Sequence, residues 1–417
     1  MKQYSVRLRL WSARIMNNGN SNESQAIPSL CVVATTSQTF RAFLLEQLVF
    51  LSRKGIKVTI ICDRDAELLE TCPQELEYIP FLLKRDMNIS STLKSFFQLL
   101  CLFQKKKYTM VQYCTPKASF VASIAAAFAG IPVRLYCQWG IRYVGFEGSK
   151  RLLFKAIERI ICFFSTHVSP DSNGNRLFSV AEGLYAHQKS SVVMNGSANG
   201  VSLERFDIQK KDTWRKEVRS EFSLDTHLVF GWVGRLCRDK GVSELVEAFC
   251  NLYENEQGIA LLLAGPKESK HDLSEQTVQM IVTHPAIRYL GEREDIERIY
   301  AAMDVLVSPS YREGFGSTAI EAQAMGVPVI LSDIPGPREA LKAEETGILV
   351  PARSAGQLQE AMQSLLFDEE RRRSMGKAAR EFVVENFEQK KFWNAVFEHR
   401  IKLIMRGSAF CENDETR

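Results

Sequence analysis

Residues 303–333, MDVLVSPSYREGFGSTAIEAQAMGVPVILSD, form the stretch that decides the fold. The apolar run at 305–307 stops at Ser308-Pro309-Ser310, which predicts a buried strand that ends in a turn. A glycine-bracketed loop follows, and then a helix is predicted that ends at Gly326-Val327-Pro328, before a second apolar run at 329–331. The order strand, glycine loop, helix, strand is typical of a parallel sheet.

The loop in this stretch is predicted to bind a phosphate group. Backbone N–H groups of a glycine-rich loop and of the helix start after it point at whatever lies above the strand ends, and they suit an anion. These residues are Gly314, Phe315, Gly316, Ser317 and Thr318. Two carboxylates, Glu313 and Glu321, flank the loop, so we take this position as the ligand site.

A second motif, GWVGRLCRDKG at 231–241, overlaps the end of a predicted strand at 228–233 and supplies positive charge. The strand ends at Gly234, and Arg235 and Lys240 follow before the next helix. A guanidinium fork and an ammonium so placed form a clamp for a diphosphate. Two solvated loop cations are the alternative, which we disfavour because both motifs belong to one predicted sheet and overhang the same edge.

Strands and helices alternate in both halves of the chain, which predicts the α/β class with parallel sheets covered on both faces. The alternation breaks at NGSANGVSLERFD, residues 195–207, and then starts again. We therefore predict two doubly wound, Rossmann-like domains, residues 28–205 and 206–387, with ligands in the cleft between them. Residues 1–27 are predicted to be a disordered extension, and 191–194 are predicted to be a strand.

Composition limits the function classes. The chain has 417 residues, ten scattered cysteines without a metal-binding spacing, and no apolar run long enough to span a membrane. No signal peptide is recognisable, so a cytoplasmic protein is expected. Residues 1–207 hold 25 Lys+Arg against 15 Asp+Glu (+10), and residues 208–417 hold 28 against 34 (−6). The basic half indicates a polyanion, an anionic membrane or a phosphorylated acceptor as partner, or merely a solvated surface.

Other chemistries are weakly represented. Asp63-Arg64-Asp65 resembles a DxD metal site but has no supporting ligands, so a structural role is favoured. Gly314-Phe-Gly316-Ser-Thr-Ala319 fits a loose GxGxxA, but it does not follow the first strand of its domain, as a dinucleotide-binding motif should. An NAD(P)-dependent oxidoreductase and a non-catalytic polyanion-binding protein are therefore the alternatives to an enzyme acting on a nucleotide-linked substrate.

The motifs resemble those of the family-four retaining glycosyltransferases, which have the GT-B fold. In the second half, VGRLCRDKG, ALLLAG, IRYLG, SPSYREGFGSTAIEAQAMGVPVI and TGILV occur in the family's order, with Glu313 and Glu321 at its spacing. In the first half, YCTPKASFVASIAAAFAGIPVRLY, WGIRYVGFEGSKRLLFKAIERIICF and NGSANGVSLERF are similar to the capsule, exopolysaccharide and O-antigen branch.

The resemblance implies transfer of a sugar from a nucleotide donor, commonly UDP-linked, to a polyprenyl-diphosphate-linked saccharide at the inner face of the cytoplasmic membrane. It implies that Arg235 and Lys240 bind the donor diphosphate and Glu321 the ribose. Glu313 would bind the donor sugar with the Gly314–Gly316 backbone. It also implies that residues 388–417 form a helix packing on the first domain. We expect no metal, no cofactor besides the donor, and no nucleic acid partner.

The acceptor side is less well defined by sequence. Lys117 and Arg142 follow predicted strands of the first domain, and we predict that they contact the acceptor's phosphates, with loop surface cations as the alternative. Trp139 stands where many relatives carry histidine or arginine, and we predict that it lies on the acceptor side of the cleft. Residues 93–107 and 150–164 combine apolar faces with basic residues and are predicted to contact an anionic membrane.

Overall fold

The structure is a computed structural model, and it describes residues 27–81, 89–267 and 273–414. The predicted N-terminal extension, apart from residue 27, lies outside the described residues.

The first half forms a six-stranded parallel sheet in the order β3-β2-β1-β4-β5-β6. Its central strands are continuous apolar runs because helices cover both faces; Leu30, Val32 and Val33 of β1 are fully buried. The strands are β1 (Ser29–Val33), β2 (Lys57–Cys62), β3 (Leu76–Pro80), β4 (Met110–Tyr113), β5 (Val133–Gln138) and β6 (His167–Pro170).

Helices connect these strands. A helical turn at Ser37–Thr39 and a π-helical segment at Phe40–Leu44 lead into the first full helix. The helices are α1 (Leu45–Arg53), α2 (Ala66–Thr71), α3 (Ile89–Lys106), α4 (Pro116–Phe128), α5 (Gly148–Phe164) and α6 (Asn173–Ala181). Asp63 and Asp65 have the structural role favoured above: Asp63 accepts a hydrogen bond from the Ser37 N–H, and Asp65 caps α2 through the Leu68 N–H.

The second half repeats the topology, with strand order β12-β11-β10-β7-β8-β9. Its strands are β7 (Leu228–Val233), β8 (Ile259–Ala264), β9 (Ile287–Tyr289), β10 (Val305–Ser308), β11 (Val329–Ser332) and β12 (Gly347–Val350). Its helices are α7 (Lys211–Glu221), α8 (Val242–Tyr253), α9 (Glu275–Thr283), α10 (Ile296–Ala302), α11 (Ser317–Ala324), α12 (Ala355–Leu366) and α13 (Glu369–Asn386). The prediction of two doubly wound domains is confirmed.

The last helix, α14 (Gln389–Asp414), returns to the first domain. Phe392, Trp393, Phe397 and Ile401 are buried in the same apolar cluster as Leu48 of α1 and the strands β1 and β2. The predicted return of the C-terminal helix is therefore confirmed, and this packing ties the two ends of the chain together.

Two local predictions differ from the structure. Residues 191–194 are not a strand: Ser190 makes a single bridge to Val168, and the chain then turns at Met194-Asn195. Strands β3 and β6 were not predicted, because LEYIP and HVSP carry too many polar or turn-forming residues to show a strand pattern. Because β6 was not predicted, the residues that follow it and line the cleft were not predicted either.

The topology places the site. Strand order reverses between β7 and β10, so the loops after these two strands diverge and leave a crevice at the carboxyl edge. Those loops are the two motifs singled out in the sequence. The equivalent crevice of the first sheet lies between β1 and β4, where the Thr35 and Thr115 hydroxyls are 2.7 Å apart.

Candidate active site

The loop between β10 and α11 is braced from within its own domain. Phe315 is buried and its ring packs 5.2 Å from that of Phe387, so its side chain anchors the loop in the core. Gly316 precedes α11 with φ at 98°, a left-handed conformation that favours glycine. The chain thereby turns sharply, and α11 begins at Ser317 as predicted.

The two predicted motifs meet directly. Lys240 lies in a 3₁₀ turn, Arg238–Lys240, and its ammonium group forms an ion pair with the Glu313 carboxylate. Ser310 Oγ donates a 3.0 Å hydrogen bond to Glu313 Oε1. The following Gly241 has φ at 66°, and a Cβ there would lie 2.1 Å from the Pro309 carbonyl oxygen. The two loops therefore pack backbone to backbone, which aligns the cation with the carboxylate.

Two further residues that are predicted to bind the donor, Arg235 and Glu321, follow β7 and lie on α11 respectively. Arg235 is exposed, one residue after Gly234 at the end of β7. Glu321 lies on α11 and accepts a 2.9 Å hydrogen bond from Tyr300 Oη. Burial of its carboxyl group raises the pKa of Glu321 to about 7, while the tyrosine hydrogen bond lowers it. Burial therefore disfavours the ionised form of Glu321.

The opposite wall is made by residues after β6, which sequence analysis missed. Asn175 of α6 donates through Nδ2 to the Gly314 carbonyl oxygen at 2.6 Å and to Asp171 Oδ1 at 3.1 Å. Asp171 is buried, and desolvation raises its pKa to about 7, with Glu313 and Glu339 adding to the shift. A side chain at Gly314 would clash with this carboxyl group, because a Cβ there would lie 2.1 Å from Asp171 Oδ2.

A second contact joins the domains beside the first. The Glu339 carboxylate accepts hydrogen bonds from the backbone N–H groups of Asn173 (2.9 Å) and Gly174 at the start of α6. A carboxylate at a helix N-terminus is stabilised by the helix dipole and by the unpaired N–H groups. The cleft is therefore closed around the loop at 313–316.

The acceptor-side predictions fall in different places. Lys117 is the second residue of α4 and is half-buried at the crevice between β1 and β4. Trp139 follows β5 and packs against the cluster that receives α14, lining a cavity of about 20 Å³ with Cys137 and Arg400. Arg142 lies on a 3₁₀ turn, Arg142–Gly145, with its guanidinium 4.8 Å from the Phe154 ring centre.

A larger cavity lies elsewhere. It measures about 560 Å³ and is lined by Met303, Asp304, Gly326 and Pro328, which precede β10 and β11, together with residues of α7 and α13. These lie at the amino ends of the strands, whereas the two paired loops lie at the carboxyl ends. The larger cavity is therefore separate from the candidate active site. Among the described residues, no group of three or more metal-binding side chains is present.

Comparison with known proteins identifies the family of this chain. Residues 214–382 match the family described as glycosyl transferases group 1, and residues 29–172 match glycosyl transferase 4-like proteins. A capsular polysaccharide biosynthesis glycosyltransferase, CapM of Staphylococcus aureus, is 30% identical over 83% of this chain and 90% of the relative. The chain belongs to the group 1, family-four-type glycosyltransferases. This membership decides against the oxidoreductase and the non-catalytic alternatives.

Other relatives of this glycosyltransferase are similar over much of their length. A UDP-Gal:alpha-D-GlcNAc-diphosphoundecaprenol alpha-1,3-galactosyltransferase of Escherichia coli is 28% identical over 73% of this chain and 79% of the relative. Among solved structures, Anabaena HepE in complex with UDP and glucose has a TM-score of 0.73, with 16% identity over 90% of this chain and 100% of that one. WaaG, involved in lipopolysaccharide biosynthesis, has a TM-score of 0.69, with 16% identity over 89% of this chain and 99% of that one. At this identity, the two structures support the GT-B fold.

Proposed function

We propose that this glycosyltransferase moves a sugar from a UDP-linked donor to a polyprenyl-diphosphate-linked saccharide, with retention of anomeric configuration and without a metal ion. The observation that carries the proposal is the Lys240–Glu313 ion pair, held at the crevice between β7 and β10 beside the start of α11. It places a cation, a carboxylate and a helix N-terminus around one point at the carboxyl edge of the sheet.

The cations stabilise the leaving group. When the bond between the anomeric carbon and the phosphate oxygen breaks, negative charge develops on the diphosphate. Arg235, Lys240 and the N–H groups at the start of α11 oppose that charge, which is the role of preorganised electrostatics in catalysis. Donor binding draws Lys240 towards the diphosphate and leaves Glu313 free to face the sugar.

Glu313 orients the sugar and stabilises positive charge on the ring in the transition state. The acceptor hydroxyl oxygen bonds to the anomeric carbon on the face from which the diphosphate departs, and its proton passes to the leaving phosphate oxygen. Glu313 forms no covalent bond in this scheme. Glu321 accepts hydrogen bonds from the ribose hydroxyls, for which its carboxylate form is needed.

One surface of the first domain is suited to bind the anionic inner face of the cytoplasmic membrane. Helices α3, α4 and α5 lie side by side and expose large apolar side chains together with basic ones. The most exposed are Phe163 (75%), Leu152 (71%) and Phe128 (66%), and Lys150, Arg151 and Arg159 lie on α5 beside them. Apolar anchors with flanking cations suit a negatively charged lipid surface. No described helix is long and apolar enough to cross a bilayer.

The test is transfer from radiolabelled UDP-sugars to lipid-linked acceptors. Glu313→Gln and Arg235→Ala should each lower kcat by about 10²-fold, whereas Glu385→Gln, an exposed carboxylate on α13, should leave it unchanged. If both variants transfer sugar at the wild-type rate, the site assignment is refuted. Transfer only from a donor carrying another nucleotide would refute the UDP assignment, and inversion of the anomeric centre would refute retention.

A further inference from the structure

We propose that Arg142 of the first domain and Arg312 of the second together bind the diphosphate group of an isoprenoid-linked acceptor. This inference rests on the proposed function and assigns a subsite to it. The two arginines lie on opposite sides of the cleft, next to the loop that carries Glu313, and they are brought together only by the closed arrangement of the domains.

Arg312 reaches across the cleft to the turn that carries Arg142. It precedes Glu313 in the chain, and its side chain lies against Gly145, the last residue of the 3₁₀ turn Arg142–Gly145. A Cβ at Gly145 would lie 2.7 Å from Arg312 Nε. The absence of a side chain at Gly145 is therefore what lets the guanidinium approach.

The pair carries excess positive charge. Arg312 forms an ion pair with Asp239, in which its Nε donates a 2.7 Å hydrogen bond to Asp239 Oδ2. Within the described residues, Arg142 forms no ion pair and instead stacks on Phe154. Burial and the charge of Arg312 both lower the pKa of Arg142. Two neighbouring guanidinium groups with a single carboxylate to neutralise them favour an additional anion.

The geometry suits a diphosphate in particular. A guanidinium group binds phosphate oxygens through parallel N–H donors. Arg142 can take one phosphoryl group in this way, and Arg312, whose Nε and Nη2 face Asp239, can take the other through its remaining N–H groups. The donor's own diphosphate is assigned to Lys240, Arg235 and the start of α11. A second diphosphate beside Arg312 would hold the attached acceptor sugar next to the donor sugar.

The surroundings suit an isoprenoid tail on that diphosphate. Helix α5 begins at Gly148, just after the turn, and exposes Leu152 (71%) and Leu153 (57%) near its start. Phe146 and Phe154 stack with ring centres 4.8 Å apart beside Arg142. An apolar chain attached to the diphosphate can leave the cleft along this apolar strip and enter the membrane surface proposed above.

Binding of farnesyl diphosphate, measured by calorimetry on the full-length protein, tests the assignment. Arg142→Gln and Arg312→Gln should each weaken binding by roughly tenfold or more, because each removes a charge-assisted contact. Gly145→Ala keeps both charges but displaces the Arg312 guanidinium, and it should also weaken binding. Arg353→Gln, an exposed arginine stacked on the Tyr311 ring at 4.7 Å, is the matched control and should have no effect.

Other ligands identify what is recognised. Inorganic pyrophosphate should bind more weakly than farnesyl diphosphate and lose affinity in the same variants, and farnesol should not bind detectably. UDP binding, measured in parallel, should change by less than about twofold in Arg142→Gln. Unchanged affinity for farnesyl diphosphate in both arginine variants, or no binding by the wild type, overturns the subsite. If the wild type does not bind UDP, the assignment of UDP as the donor nucleotide in the proposed function is overturned instead.

Discussion

The amide of Asn175 donates a 2.6 Å hydrogen bond to the Gly314 carbonyl oxygen, and the two residues are 139 positions apart in the chain. One side chain of the first domain thus holds the backbone of the loop that we assign to the donor sugar. The same amide donates to Asp171 at 3.1 Å. One side chain therefore links the closed position of the first domain to the position of the loop.

Asn175→Ala should raise the KM for the donor. Loss of the amide leaves the half-buried Gly314 carbonyl without this donor, a cost of about 1–3 kcal/mol in the closed state, which corresponds to roughly 5- to 150-fold in KM. Steady-state kinetics at saturating acceptor measures it. Asn394→Ala, which removes an exposed amide bonded to the Lys390 carbonyl on α14, is the control. A donor KM equal in both variants would contradict the role.

Two buried carboxyl groups, Asp171 and Glu321, should each lower the free energy of unfolding as pH rises from about 4 to about 7, whereas His167 and His399, whose pKa burial lowers, act in the opposite direction. Burial raises the pKa of Asp171 from 3.8 to about 7 and that of Glu321 from 4.5 to about 7. These two carboxyl groups therefore bind more protons in the folded protein than in the unfolded chain in this window, and the stability that they contribute is lost as pH rises through it. Above the folded-state pKa both carboxyls are ionised in both states, so the dependence levels off.

Asp171→Asn separates the two contributions. The asparagine keeps an oxygen for the Asn175 amide but cannot ionise, so the variant should lose part of the pH dependence and gain up to about 4 kcal/mol at pH 8 relative to the wild type. Urea unfolding at pH 5 and pH 8 measures this. Adding Glu321→Gln should remove the share of the slope that Glu321 contributes, whereas the share of His167 and His399, which has the opposite sign, should remain. A slope that Asp171→Asn leaves intact would show that its carboxyl is ionised when the protein is folded.

Gly241→Ala should destabilise the protein by about 2 kcal/mol or more. Its φ is 66°, and the added Cβ would meet the Pro309 carbonyl oxygen at 2.1 Å, so the backbone contact between the two loops must open. Thermal unfolding measures the effect, and kcat should fall with it because Lys240 moves. Gly258→Ala, whose added Cβ meets nothing within 4 Å, should change stability by less than about 0.5 kcal/mol.

Phe163→Ser should reduce binding to vesicles that contain phosphatidylglycerol by about tenfold, because an exposed aromatic anchor contributes about 1.5–3 kcal/mol when buried. Vesicle flotation measures the partition coefficient, and added salt should weaken binding further. Phe367→Ser removes a phenylalanine of similar exposure (63%) in the second domain and serves as control. Equal losses in the two variants would place the membrane contact elsewhere.

The sequence alone determined the architecture and the donor side of the site. Period, glycine position and turn chemistry are local properties, so the strand, loop and helix at 303–333 and the cations at 235 and 240 could be predicted from near neighbours in the chain. Because the carboxyl ends of parallel strands share one edge of the sheet, the contact between the loops after β7 and β10 was also predictable. The Lys240–Glu313 ion pair lies at that edge. The roles of these residues in donor binding stay predictions.

Only the tertiary structure decided the opposite wall. Asp171 and Asn175 follow β6, whose short HVSP sequence gave no strand signal, so nothing local marked them. Glu339 meets the start of α6 across 166 residues, and Arg312 meets Gly145 across the cleft. Such contacts depend on how two separately folded domains close on each other, and no sequence period records that closure. Trp139 shows the same limit: the return of α14 packs it against a shared core, which no local pattern indicated, and its acceptor-side role stays a prediction.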